Sequence, residues 1–499
     1  MDENWWAVYL KDLESEGKRQ DALTGLNKMI NKQGNSLPLP VIERLLQSST
    51  LYDCAVDEKK PLADLTIEFL GYCLEQLHID TTDEQLPQVL QRGLTHSNPA
   101  LRSLVLSSLL KELRRQSTTS EIHQLPGNEL LFYVLDELRQ TETQCSATAI
   151  SILTIVLSQR LNDADIQAKL VQLLQQNEII RCRAYELGVM LAKHSAASLS
   201  SVEFILDAAL SELDNDDVLL QASVMEILVP LAEQNHGLSY MERRRVFDLI
   251  SSRVQRIEEN PLDMLLIPSI MKFFGKIAAV QPQKIIAGYP QMITCLFDLL
   301  QSGDETVLPT AIDTLANLAG SVPGKTLLHV HFQPAMEQLM KKYSSYTKSA
   351  SSSIKERVLS SLDVIYSLEA PPTGELSNIL KQWYECFAGG QHINQIMELV
   401  NTPFPDLQLA ALAWLKSLCK YRWGILNLQR TGGAIEFLLS RQRDLHKDVK
   451  FLKWQIMEIL SVSSDFTATE TVRFTAYVNE GPYYIQSEMN VATEPQGNA

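Results

Sequence analysis

The chain has 499 residues, of which 45% are hydrophobic and 21% are charged, as is typical of a folded globular protein. Its formal net charge of −16 argues against nucleic acid as a partner, because nucleic-acid binding depends largely on neutralising phosphates. No apolar run approaches the roughly 18 residues that span a bilayer, and residues 1–6 lack the features of a signal peptide. Seven cysteines without a CxxC pair indicate a reducing compartment, cytoplasmic or nuclear.

Along the chain, short polar or Pro-containing turns recur, and each is followed by an amphipathic helix. The clearest turns are Asn215-Asp216-Asp217, Pro405-Asp406 and Lys447-Asp448, after which apolar residues at steps of three and four form one stripe. One such helix cannot bury its stripe alone, whereas stacked neighbours can, so the repetition indicates a solenoid. Candidate turns lie near Asp57, Asn98, Glu142, Asn177, Asn215, Pro261, Asp304, Ser352, Pro405 and Lys447.

The mean spacing of these turns is about 43 residues, which matches the HEAT or armadillo period of about 40–47 and not the shorter ankyrin or tetratricopeptide period. With one more helical pair before Asp57, the sequence predicts an all-α, HEAT/armadillo-like alpha solenoid of roughly ten to eleven helical pairs. The solenoid is expected to span residues 1–463. Within it, the Ser-rich stretch from Ser344 to Ser353 predicts a loop between helices.

An aromatic segment follows the solenoid at residues 464–487. Phe474, Tyr477, Tyr483 and Tyr484 would be costly to leave in water, and Gly481-Pro482 is a turn signal. We interpret the segment as non-helical chain that folds back and caps the last repeat; docking onto a partner is the alternative. Residues 488–499 are polar, contain Pro and Gly, and are predicted to be disordered.

One stretch fits a catalytic pattern formally: Ala319 to Thr326 resembles a relaxed phosphate-binding loop. Such a loop needs a preceding strand, whereas Ala311 to Leu318 has helical spacing. We therefore expect a helix ended by Gly320 and a turn at Pro323-Gly324. His329 and His331 lack a third metal ligand at a recognisable spacing. The sequence accordingly predicts no enzyme, no cofactor and no metal.

Several strings together resemble the proteasome 26S non-ATPase regulatory subunit 5 family, whose members are assembly chaperones built of HEAT-like repeats. The Lys-Phe-Phe-Gly and Glu-Gly-Pro-Tyr-Tyr strings are the most specific, since helical periodicity requires neither. The strings span roughly residues 180–485: Arg181-Cys182-Arg183-Ala184-Tyr185-Glu186-Leu187, Met271 to Lys276, Ala311 to Leu315 with Gly324-Lys325, Pro403 to Leu407, and Asn479 to Tyr484.

The resemblance implies a non-catalytic chaperone for assembly of the base of the 26S regulatory particle. Its partners would be the AAA ATPase subunits, held chiefly through a C-terminal helical domain of one of them, and the largest non-ATPase base subunit. It would leave before the particle matures and be a monomer on its own. The alternative is a HEAT-repeat scaffold or transport adaptor. Importin-type adaptors carry ladders of Trp, which this chain's tryptophans do not form: Trp383, Trp414, Trp423 and Trp454 occupy no fixed repeat position.

Partner contacts are expected on the second helix of the central pairs, which would line a concave face. Cations beside the family-like strings could meet acidic groups of a partner. The alternative is that they bond to the adjacent repeat. The predicted contact residues are Arg181, Arg183, Lys272, Lys276, Tyr483 and Tyr484.

Overall fold

The computed structural model describes residues 5–33, 36–56, 60–76, 86–116, 128–140, 142–158, 160–255, 261–391, 393–441 and 445–484. Within these ranges the chain forms 28 α-helices and five 3-10 segments, with no strand. It divides into two compact units, residues 1–246 and 247–499. Each unit is described by itself.

The first unit contains fourteen α-helices and four 3-10 segments. The α-helices are α1 (Ala7–Leu13), α2 (Arg19–Gln33), α3 (Leu39–Gln47), α4 (Ser49–Ala55), α5 (Lys60–Gln76), α6 (Leu86–Leu94), α7 (Pro99–Gln116), α8 (Asn128–Asp136), α9 (Thr143–Leu157), α10 (Ala164–Leu174), α11 (Glu178–Ala192), α12 (Ala196–Ser211), α13 (Val218–Leu228) and α14 (Asn235–Arg243). The 3-10 segments are Glu16–Lys18, Glu137–Arg139, Glu212–Asp214 and Val229–Glu233.

The second unit begins within the next helix, whose first residue, Val246, lies on the boundary. One 3-10 segment, Pro261–Leu266, precedes α16. The helices are α15 (Val246–Gln255), α16 (Ile267–Val280), α17 (Pro282–Gly288), α18 (Pro290–Ser302), α19 (Leu308–Leu318), α20 (Val322–Ser349), α21 (Ser352–Tyr366), α22 (Gly374–Ala388), α23 (Asn394–Val400), α24 (Pro405–Leu418), α25 (Arg422–Arg430), α26 (Ala434–Leu439), α27 (Lys447–Ser461) and α28 (Ala468–Glu480).

The predicted turns mark the starts of helices that recur once per repeat. In the first unit α7, α9 and α11 each begin one residue after a predicted turn, and in the second unit α21, α24 and α27 begin at the predicted residue itself. Helix capping explains why the sequence reveals these positions. The Asn177 Oδ1 accepts the Ile180 N–H at 3.1 Å, which satisfies a donor that the helix start leaves unpaired. The turn at Asp57 lies outside the described residues.

These recurrent helices pack side by side as a row, and a second set packs against the row. In the first unit the row runs α2, α5, α7, α9, α11, α13. In the second it runs α16, α19, α21, α24, α27, with α20 packing against both α21 and α22. Stacking of this kind buries the apolar stripe that a single amphipathic helix leaves exposed. The all-α prediction is confirmed. The helices outnumber those that ten or eleven pairs would supply, because short helices such as α17 and α26 divide the segments that connect one helix of the row to the next.

Two local predictions are wrong. The stretch from Ser344 to Ser353 is almost entirely helical, since α20 continues to Ser349 and α21 begins at Ser352. Tyr343 is fully buried and Tyr346 is 9% exposed, so packing of these rings outweighs the low helix propensity of the serines. The C-terminal aromatic segment is likewise not irregular chain, because residues 468–480 form α28.

Three junctions between consecutive helical segments use a glycine six residues after a leucine. A Cβ placed on Gly237, Gly324 or Gly424 would overlap the carbonyl oxygen of Leu231, Leu318 or Leu418, respectively. Each glycine is the third residue of its helix, where the new helix passes closest to the end of the previous segment. The absence of a side chain is what allows this close approach.

We predict that Gly424→Ala destabilises the chain by about 1–3 kcal/mol, the usual cost of inserting a methyl group into a fully packed site. The measurement is the free energy of unfolding from urea titration. Gly432→Ala is the matched control, because a Cβ at Gly432 meets nothing within 4 Å. Equal stability of the two variants would contradict the close approach at Leu418.

Candidate partner-binding surfaces and the loop at Lys325

Arg183 does not lie on an accessible surface, which favours the alternative interpretation of this residue over its predicted partner contact. Its side chain is buried at 9% exposure on α11. One guanidinium nitrogen donates to the Leu138 carbonyl at 2.9 Å and to the Gln140 carbonyl. These carbonyls belong to the end of the preceding repeat, where the helix leaves acceptors unpaired. Arg183 therefore ties two repeats together, as the alternative interpretation held.

Arg181, on the same helix, also bonds within the first unit. Its Nε lies 3.0 Å from the Glu212 Oε1, and the Tyr185 hydroxyl donates to the same oxygen at 2.9 Å. Burial and the neighbouring Glu212 carboxylate raise the pKa of Tyr185 well above its ordinary value. The side chain of Arg181 is 24% exposed, so most of it is committed to this network and little is left for a partner.

Arg181 also occupies a repeat position that sequence reasoning missed. In six helices the fourth residue is polar, and its side chain donates to a carbonyl in the turn five or six residues earlier. Side chains on a helix lean toward its N-terminus, so this position reaches back to acceptors that the previous segment leaves unpaired. The pairs are Arg102 with His96, Gln167 with Leu161, Arg181 with Gln176, Gln221 with Asn215, Lys325 with Gly320, and Gln408 with Thr402.

Lys325, the lysine of the phosphate-loop-like string, is therefore a structural residue. It is 0% exposed, and its Nζ donates to the Gly320 carbonyl at 2.7 Å. Burial lowers its pKa to about 8. The preceding segment is helix α19 and not a strand, as predicted. The expected turn at Pro323-Gly324 is wrong, because both residues lie in the first turn of α20, which Ser321 caps by accepting the Gly324 N–H at 3.2 Å.

Lys272 and Lys276 lie four residues apart on α16 and therefore on one side of the helix. Lys272 is exposed and Lys276 is half-buried, whereas Phe273 and Phe274 are 1% and 2% exposed. The Phe274 ring centroid lies 6.2 Å from that of Phe247 on α15 and 5.5 Å from that of Tyr289, and these contacts hold the helix against its neighbours. Both ammonium groups thus stand on a rigid support. Their contact with a partner stays a prediction.

The C-terminal segment forms α28, which packs against α27. Thr467 and Glu470 form a capping box, in which the Glu470 Oε2 accepts the Thr467 N–H at 2.9 Å. Phe474 is fully buried and Tyr477 is 6% exposed; they are three residues apart and share the inner face of the helix. The Trp454 Nε1 on α27 donates to the Val478 carbonyl at 3.0 Å. The tail predicted to be disordered from residue 488 lies outside the described residues.

Arg441 holds the chain just after α28. Its guanidinium donates to the Gly481 and Tyr477 carbonyls, each at 2.7 Å, and pairs with Glu480 at 3.1 Å. Its central carbon also lies 3.4 Å from the centroid of the Tyr477 ring, close enough for a cation–π contact. Arg441 was not identified from the sequence. The available signal was that Arg441 precedes Gly481 by 40 residues, about one repeat period.

Tyr483 and Tyr484 remain partly exposed, at 48% and 44%. The Lys447 Nζ lies 5.6 Å from the Tyr483 ring centroid, and the Arg441 guanidinium lies 5.7 Å from that of Tyr484. Both rings therefore sit beside cations on a fixed part of the second unit. We define the exposed residues Lys447, Tyr483 and Tyr484 with the supporting Arg441 as the C-terminal aromatic surface. Its cations and rings suit an acidic or apolar group, and its contact with a partner stays a prediction.

The structure also bears on two other possibilities, a metal site at the paired histidines and a membrane span. His329 and His331 both lie on α20, and the His329 ring packs 6.4 Å from that of Trp383. Among the described residues, no three His, Cys, Asp or Glu side chains cluster as a metal site would require. None of the helices in the described part of the chain is both long and apolar enough to span a membrane.

Comparison with known proteins identifies relatives over the full length. The family model described as proteasome non-ATPase 26S subunit matches residues 2–499. The 26S proteasome non-ATPase regulatory subunit 5 of Drosophila melanogaster is 65% identical over 505 residues, covering 100% of both chains. The Bos taurus protein of the same name is 28% identical and covers 88% of each chain. These matches confirm the resemblance and extend it to the N-terminal residues.

Among solved structures, yeast importin-beta aligns with a TM-score of 0.53, covering 97% of this chain and 69% of its own, at 11% sequence identity. At that identity the likeness concerns the fold alone. It confirms the HEAT/armadillo class of solenoid that the turn spacing predicted.

Lys325→Met should change how stability depends on pH. Burial lowers the native pKa of Lys325 to about 8, whereas an unfolded lysine titrates near 10.4. Between these values the unfolded chain binds more protons, so unfolding free energy rises with pH in the wild type. Relative to the variant, the wild type should gain roughly 2 kcal/mol from pH 8 to pH 10. Urea titrations at both pH values test this, with exposed Lys341→Met as control; a pH-independent difference would contradict a buried ammonium.

Truncation before Arg473 should lower the melting temperature, because it removes Phe474 and Tyr477 from the core. Burial of one such side chain contributes about 1.5–3 kcal/mol. Truncation after Glu488 is the control and should leave melting unchanged. Calorimetry of both chains makes the comparison. A shorter chain that melts like the full-length one but loses its partner would mean that the segment serves docking and not stability.

Proposed function

The chain belongs to the family of proteasome non-ATPase 26S subunits, and from this membership we propose that it is a non-catalytic chaperone for assembly of the regulatory-particle base. The observation that carries this proposal is the 65% identity with the Drosophila regulatory subunit 5 along the full length of both chains. A relationship of this extent covers every repeat, so it includes whichever surface holds the proteasome components.

We further propose that the components held are AAA ATPase subunits of the base, chiefly through a small C-terminal helical domain, together with the largest non-ATPase base subunit. The chain then departs before the particle matures. Stacked helices support such a role because they offer an extended, preformed surface without a catalytic centre. We propose that Lys272 and Lys276 on α16 and the C-terminal aromatic surface contribute contacts within the second unit.

The absence of catalysis is part of the proposal. Lys325 supports it: the one residue that suggested nucleotide chemistry is buried and bonded to its own turn. A phosphate would need that ammonium at the surface of a loop. Action in the cytoplasm or nucleus as a monomer completes the proposal, and the seven cysteines, which form no disulfide in the described residues, support a reducing compartment.

The transport-adaptor alternative gains no support from the likeness to importin-beta, since that likeness concerns the fold. Affinity purification of the tagged chain from cells, followed by mass spectrometry, separates the two. The chaperone proposal expects base ATPases and the largest non-ATPase subunit to be enriched without core-particle subunits. Enrichment of nuclear-transport or phosphatase machinery instead would overturn it.

Charge reversal tests the contribution of α16. Lys272→Glu with Lys276→Glu should weaken binding to purified base ATPase subunits by about tenfold or more while leaving the melting temperature nearly unchanged, because cations steer and orient acidic partners. Lys341→Glu with Lys348→Glu is the matched control, since it makes the same charge change at exposed positions of the second unit. Parallel losses of binding and stability in the α16 variant would show that these lysines are structural.

A further inference from the structure

An apolar cleft of about 540 Å³ opens in the first unit between α1 and the pair α3–α4. We call it the N-terminal cleft. Another cleft, of about 430 Å³, lies in the second unit between α22 and α25. The apolar lining of the N-terminal cleft comprises Trp6, Leu10, Leu13, Val41, Leu45 and Leu51.

The two helices that form the walls present one stripe each. On α3, Val41 and Leu45 are four residues apart, and on the facing wall Trp6 and Leu10 have the same spacing. Side chains four apart lie on one side of a helix. Each wall thus contributes one apolar stripe to the cleft, the same kind of surface that elsewhere in the first unit is covered by the helix of a neighbouring repeat. A third helix is the occupant that such a groove fits.

Two large apolar side chains are also exposed elsewhere on the helices that form the cleft. Val8 is 67% exposed and Leu39 is 53% exposed, on α1 and α3 respectively. Apolar surface in water costs about 25 cal/mol per Å². These exposed side chains therefore favour burial of this part of the first unit by another protein.

The charged side chains at the rim of the cleft indicate what kind of molecule it binds. Lys11 and Arg44 line the cleft from opposite walls and are both exposed, and Glu14 is the single acid among the lining residues. The rim is thus locally positive in a chain whose net charge is −16. A second copy of this chain would bring the same large negative charge, and like charges oppose association. An occupant with carboxylates beside an apolar face is complementary.

We propose that the N-terminal cleft binds an amphipathic helix of a partner protein. The helix places its apolar face on Trp6, Leu10 and Val41, and its acidic flanks meet Lys11 and Arg44. This contact is separate from α16 and from the C-terminal aromatic surface, so it stands independently of the proposed function.

The test uses the full-length chain and a fluorescent peptide of about 14 residues, roughly 21 Å of helix. Leucines at three- and four-residue steps form one face of the peptide, and glutamates flank them. One comparison peptide replaces the glutamates with lysines, and another replaces the leucines with serines. Fluorescence anisotropy should show that the acidic amphipathic peptide binds at least about tenfold more tightly than either, a difference of about 1.4 kcal/mol. Salt should reduce its advantage over the lysine peptide.

Val41→Glu should lower affinity for the acidic peptide by about tenfold or more, because it places a carboxylate in the apolar wall beside acidic flanks. Val462→Glu is the matched control at an 84% exposed position and should bind like the wild type. Should Val41→Glu unfold, Lys11→Glu with Arg44→Glu replaces it, since both positions are exposed. Absence of binding, equal binding by the cleft variant, or a preference for the lysine peptide would overturn the proposal. Self-association in sedimentation that the cleft variant abolishes would overturn it in favour of a second copy.

Discussion

Each turn between stacked helices brings carbonyl groups near the interior that no helical hydrogen bond reaches, and this chain pairs many of them with side chains from the next helix. The fourth residue of a helix serves this purpose in six repeats, as Gln167 does toward Leu161 and Lys325 toward Gly320. Leaving such acceptors unpaired would cost about 1–3 kcal/mol each. Because the bond spans the turn, it also sets the angle at which the next helix starts. The regular stacking of both units depends on this short-range constraint.

The need to pair these carbonyl groups also explains why several basic side chains are buried. Arg102 shows it most fully: it bonds to the carbonyls of His96 and Ser97 and pairs with Glu137 at 3.2 Å. Lys453 repeats the theme in the second unit, where it is 1% exposed and its Nζ donates to the Ser440 carbonyl at 2.9 Å. Burial, together with nearby Arg441 and Lys450, lowers its pKa to about 8. Acids are buried beside basic residues as well, as Glu112, Glu137 and Glu212 are, so the net charge of −16 comes from the composition of the chain and not from the burial of cations.

The sequence could predict the repeat because its signals are local. A polar cap such as Asn177 and the apolar stripe that follows are properties of one helix, and they place most helix starts within a few residues. Burial of a cation is not local. Arg183 and Lys272 look alike in the sequence, yet the first meets carbonyls 43 and 45 residues earlier whereas the second faces solvent. The C-terminal helix was missed for a different reason. Thr467 and Glu470 form a capping box that the sequence shows, but the interpretation of this segment rested on its density of aromatic residues.

The C-terminal aromatic surface shows how a repeat fold can hold exposed rings rigidly. Tyr483 follows a turn whose Gly481 carbonyl accepts a hydrogen bond from Arg441, which also donates to the Tyr477 carbonyl in α28. The fully buried Phe474 anchors α28. A flexible tail with the same aromatics would lose conformational freedom on binding, at about 0.5–1.5 kcal/mol for each immobilised side chain. In this chain the side chains lose that conformational freedom during folding, where contacts within the last repeat offset the cost. The aromatic residues near the C-terminus therefore divide into two kinds: Phe474 and Tyr477 stabilise the last repeat, and by doing so they preorganise Tyr483 and Tyr484 at its surface.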